Sequence, residues 1–182
     1  MRYDRLLEEH YAENWSSPLQ SVRWNRGPVG DLPADFRVIV VERSADTTAY
    51  ATVCMSQPED EVRIELHLLT RRSDGVLDDL VEILTAVAHY HRTGLRLDVG
   101  HSVNFGRPWI SGSACTHGLV SLPYLDGPRL ERLATPPVQF LWLIPVTEAE
   151  VEFKKVRGLD ALEERFEATR FDYLDPMRTS VV

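Results

Sequence analysis

The segment VQFLWLIPVTEAEVEF, residues 138–153, decides how the chain is read. Phe140, Leu141, Trp142, Leu143 and Ile144 are consecutive apolar residues, so a strand here is apolar on both faces. Both faces must then be covered, which puts the strand inside a sheet. Pro145 has no N–H to give a ladder and predicts the strand's end. Thr147 and Glu150 form a T-x-x-E capping box: the threonine oxygen accepts from the backbone of Glu150, and the glutamate reaches back to the amide of Thr147. Glu148 and Glu150 also place negative charge at the positive end of the helix dipole. The expectation is a central strand, a two-residue turn and a well-started helix. Gly158 stops that helix, and Leu159, Leu162 and Phe166 open a second helical stripe.

Upstream, Tyr3, Leu6, Leu7, His10 and Tyr11 share one face of a short amphipathic helix over Met1–Glu13. Ser21–Pro33, rich in glycine and proline, predicts a connecting loop. Phe36–Glu42 predicts a strand buried on both sides, and Thr48–Met55 a second strand, with Arg43–Thr47 as the hairpin between them. Glu61–Thr70 alternates cleanly: Val62, Ile64, Leu66 and Leu68 on a core face, Arg63, Glu65 and His67 on a wet one. Ser73–Asp74–Gly75 ends that strand. Apolar residues then recur at three and four from Val76 to His91, and Gly94 closes a helix of nearly five turns that should lie across the sheet. Leu95–Val99 predicts a short strand, Gly100–Gly112 a loop, Ser113–Pro123 a strand and Leu125–Thr135 an irregular connection. Phe171, Tyr173 and Leu174 suit a packed C-terminal tail. Strands interrupted by one long helix, with two helices at the end, imply an α+β fold: a mixed, mainly antiparallel sheet covered by helices. With no repeat or linker, residues 1–182 are expected to form a single domain.

The formal net charge of −8 argues against a general nucleic-acid binder, which needs a cationic surface, and is compatible with a basic partner. Two cysteines, Cys54 and Cys115, make no disulfide scaffold and read as buried thiols. No signal-peptide core opens the chain and no apolar run reaches the ~20 residues of a membrane helix, so a cytoplasmic location is expected.

Four local patterns carry polar chemistry. His89 and His91 form H-x-H, but on a helix they project apart and do not converge on one ion. Cys115 and His117 could share a strand face, yet a thiolate–imidazole pair needs a third orienting group. Asp98, His101 and Ser102 hold triad-type side chains within five residues, without a G-x-S-x-G elbow. The loop GHSVNFGRPW, Gly100–Trp109, is the most informative: two glycines flank polar and aromatic groups at a sheet end, a common place for recognition. A self-packed loop explains it equally well. Phosphate-binding, zinc and EF-hand motifs are missing from the sequence, and no metal or cofactor is expected.

Taken together the motifs resemble the suppressor-of-fused domain family. The resemblance is best over Val138–Val182: FLWLIPVTEAEVEF, then Gly158–Leu159–Ala161–Leu162, then FDYLDPMR at Phe171–Arg178. Phe36–Glu42 resembles the family's early apolar strand, Thr52–Ser56 its T-x-x-M-S strand end, and Gly100–His101 with Asn104 and Gly106 its glycine–histidine–asparagine–glycine loop. Cys54 stands where a small, glycine-like residue would be expected, and the long second region of the animal members is missing. The resemblance implies a non-enzymatic protein-binding domain, and bacterial members are proposed immunity proteins against secreted polymorphic toxins. His101, Asn104, Arg107 and Trp109 are the expected partner-binding residues, and the expected partner is a toxin domain with a basic face. The alternatives are a small hydrolase using His101 with Ser102 or Cys115, and a scaffold that homodimerises through an open sheet edge.

Overall fold

The computed structural model describes residues 2–27, 29–71 and 76–182; the predicted Ser73–Asp74–Gly75 boundary lies outside them. One helix, α1 (Tyr3–Trp15), precedes the sheet strands β1 (Gln20–Val22), β2 (Arg37–Glu42), β3 (Thr47–Val53) and β4 (Ile64–Arg71). After α2 (Leu77–Thr93) come β5 (Ser102–Asn104) and β6 (Cys115–Ser121). The chain closes with α3 (Pro128–Glu131), β7 (Arg132–Leu133), β8 (Val138–Thr147), α4 (Glu148–Arg157) and α5 (Leu159–Thr169). Strands lie in the order β1-β2-β3-β4-β8-β6-β5, with β7 paired to the start of β8. All pairings are antiparallel except β4 with β8.

The apolar run at 140–144 dictates this architecture. Phe140, Trp142 and Ile144 pack on one side with α1, α4 and α5, while Leu141 and Leu143 pack on the other with α2. The result is three layers with β8 buried at the centre. The helix start is as the sequence predicts: Thr147 caps Glu150 and Glu150 bonds back, completing the box. Pro145, however, does not end the strand. It sits in β8 opposite Gly118 and the strand runs straight into α4 without a turn. A proline tolerates this position because β4 pairs with β8 only over Gln139–Trp142, so β4 does not flank β8 at Pro145 and the strand is edge-like there.

The wet face assigned to Arg63, Glu65 and His67 is also corrected. Glu65 and His67 have no solvent exposure, because α1 and the turn before α3 cover that side. His67 faces Asp126 at 3.2 Å and stacks edge-on against Trp15, while Asp126 accepts from Trp15 Nε1 and Arg43. Strand Glu61–Thr70 starts three residues later than expected, at Ile64. No strand forms at Leu95–Val99; the amide of Leu97 donates to His91 Nδ1 instead. Conversely, the predicted loops contain β1, β5, β7 and the short α3. The tail anchors as expected: Arg178 donates to both Glu150 carboxylate oxygens at 2.7 Å and stacks over Phe171.

Candidate functional site

The Gly100–Trp109 segment forms one margin of the sheet. Its β5 pairs only with β6 among the described residues, with Ser102 opposite Leu119, Val103 opposite Gly118 and Asn104 opposite His117. The amide of Phe105 donates to the carbonyl of Thr116, so by antiparallel alternation Val103 also faces β6. The backbone groups of Ser102 and Asn104 therefore point away from the sheet, as an open edge does. Gly100, at φ +83, turns the chain into this strand, and Leu159 packs 3.1 Å from where a Cβ would be. Lys154 of α4 braces the turn by donating to the carbonyl of Gly100 and to Ser102 Oγ. Burial and the neighbouring Lys155 hold its ammonium below the usual lysine range.

The four residues expected to meet a partner divide into three environments. His101 and Asn104 are exposed beside the open edge. His101 accepts from the amide of Asp98 through Nδ1, and Asn104 Oδ1 accepts from the amide of Gly106 at 2.7 Å. Arg107 is half-buried and reaches across to α2, where it pairs with Asp79 at 3.2 Å and Glu82 at 2.7 Å. Trp109 is 1% exposed; its indole donates to the carbonyl of His117 at 2.7 Å and its ring packs on Phe105. It is a core residue that fixes the loop, so it presents no face to a partner. No local pattern signals the role of Lys154, since a Lys-Lys pair near a helix end reads first as a complement to the dipole.

The polar patterns resolve into structural roles. Asp98 caps the amide of Val99 and His101 Nδ1 holds the amide of Asp98, while Lys154 engages Ser102. A β-bulge separates Cys115 from His117 and breaks the two-residue alternation. Burial raises the Cys115 thiol and lowers the His117 imidazole, which favours the neutral form of both and not an ion pair. His89 meets Asp31, whereas His91 is buried against Leu97. Among the described residues no group of three His, Cys, Asp or Glu side chains could hold a metal ion.

Comparison with known proteins places this architecture. The family model described as suppressor of fused protein (SUFU) matches residues 33–179. The chain is similar to the crystal structure of a SUFU homolog from Neisseria gonorrhoeae FA 1090, at 26% identity and a TM-score of 0.83 over 99% of this chain and 97% of that one. A Sufu–Fu complex matches at 15% identity and TM-score 0.71, over 98% of this chain and 91% of that one. Drosophila Suppressor of Fused matches at 16% and 0.63, over 97% of this chain and 50% of that one; these two show the fold alone. No curated protein matches. On the family match over residues 33–179, with structural similarity over 99% of the chain beside it, the protein belongs to the suppressor-of-fused family.

Proposed function

We propose that this chain is a non-enzymatic binding domain that captures a protein at its β5 edge, and that its partner is a basic toxin domain held stoichiometrically in the cytoplasm. The observation that carries this reading is the open edge itself. Ser102 and Asn104 offer outward backbone groups, with the exposed His101 and Asn104 side chains beside them. A partner strand can add there through main-chain hydrogen bonds. One structural relative is a complex named Sufu–Fu, in keeping with a fold that serves protein binding. The net charge of −8 suits a basic partner, because opposite charge speeds encounter. His101 Nδ1 is taken by the amide of Asp98, Ser102 Oγ by Lys154, and the backbone of Cys115 by Ser113 Oγ, so a hydrolase built on His101 with Ser102 or Cys115 draws no support from their geometry.

The test is capture of the adjacent gene's product, with Asn104→Pro as the variant. Proline removes an outward N–H and leaves the β6 side of the ladder alone. The expected outcome is a 1:1 complex that weakens with added salt and is lost in the variant, while circular dichroism of the variant is unchanged. A complex of equal affinity in the variant would place the contact elsewhere. Affinity that does not change with salt would remove the electrostatic half of the reading.

A further inference from the structure

A second recognition feature lies on the helical side of the sheet, between β6, β8 and α5. It is a cleft of about 380 Å³ lined by Leu119, Trp142, Ile144 and Phe166 below and by Tyr124, Tyr173, Glu163 and Glu167 around its mouth. Three features together define what it would accept. First, Glu163 and Glu167 stand one helical turn apart on α5, and neither carboxylate has a cationic partner among the described residues. Glu163 is half-buried; burial, Asp160 and Glu167 all raise its carboxyl, and no positive charge acts against them. Second, the walls are aromatic, and Tyr124 is 60% exposed at the opening. Third, Trp142 forms part of the floor, and its buried indole Nε1–H has no acceptor among the described residues. An unsatisfied buried donor is unusual in a folded protein.

These features are complementary to one kind of group. A pair of unpaired carboxylates calls for a cation, aromatic faces favour a planar one, and an apolar floor favours a hydrocarbon stem. We propose that this cleft receives an arginine side chain of a partner protein, with the guanidinium between Glu163 and Glu167 and against the tyrosine rings. The indole N–H of Trp142 is a donor that the guanidinium cannot satisfy, and a main-chain carbonyl flanking the arginine is the acceptor the partner would offer it. The proposal rests on the protein-binding reading and adds to it a specific anchor on the helical side of the sheet.

The anchor can be tested without any partner. N-acetyl-arginine amide is titrated into the full chain at low ionic strength while the assigned indole N–H resonances are followed. The neutral isostere N-acetyl-citrulline amide serves as the control. The expected result is a saturating shift of the Trp142 indole resonance and of amides in α5, with citrulline about tenfold weaker and the difference abolished in Glu163→Gln/Glu167→Gln. Equal shifts by the two compounds, shifts confined to other surfaces, or no shift at tens of millimolar would each overturn it. A failed capture by the β5 edge would leave this titration unaffected, so the two readings fall separately.

Discussion

Glu65 lies on β4 with no solvent exposure, and its carboxylate accepts from Thr52 Oγ1 at 2.6 Å and from the amides of Met55 and Ser56, each at 3.2 Å. Cys54, at φ 65, bends the chain so that two successive amides converge on that one group. The glycine-like residue expected at this position is therefore explained by a left-handed turn, which cysteine adopts at some cost. Burial lifts Glu65 from 4.5 to about 7, with the three donors acting in the opposite direction. A carboxyl raised in the folded state binds more protons there than in the unfolded chain. Its contribution is then full below about 4.5 and is lost as pH rises to about 7. Urea denaturation of the protein and of Glu65→Gln across that window should show the stability difference growing in favour of glutamate as pH falls; parallel curves would contradict the assignment. Alternation at 61–70 could not disclose this. A period of two separates two faces but does not say whether segments distant in sequence, here α1 and the turn at Asp126, will cover the second.

Among the elements, the legible ones are those whose signals are local. The T-x-x-E box, the apolar run of β8 and the periodicity of α2 each lie within a single segment, and each was found where expected. Strand β5 has three residues and β7 two, so neither carries a pattern of its own; pairing with β6 and β8 creates them. The seat of β5 depends on Gly118. A methyl group there would lie 2.7 Å from Leu143 Cδ1 and 2.8 Å from Phe105 Cζ, so one of those side chains must move. Gly118→Ala is expected to cost about 1–3 kcal/mol in denaturant unfolding and to speed hydrogen exchange at the amide of Val103. Unchanged exchange would mean that Phe105 does not hold the edge strand in place. The same loop shows why the site was only partly readable: a sequence marks Trp109 as aromatic, but only the fold places it inside.

At the scale of the whole molecule, the sheet is two contiguous halves. Strands β1 to β4 form an antiparallel meander, β8, β6 and β5 form the second half, and the parallel pairing of Ile64–His67 with Gln139–Trp142 joins them. A mixed sheet was legible from the long crossover helix, whereas the identity of the parallel partner was not, because it follows three intervening strands. No helix among the described residues is long and apolar enough to cross a membrane. The junction has a consequence for biosynthesis. Until residues 138–147 leave the ribosome, β4 has no neighbour on that flank, and its bare amides and carbonyls sit among buried Ile64, Leu66 and Leu68. A nascent chain halted at Pro137 should consequently self-associate, visible as light scattering at concentrations where the complete polypeptide stays clear. Release of the final quarter of the chain would then act as the step that quenches stickiness, and a monodisperse 1–137 fragment would refute it.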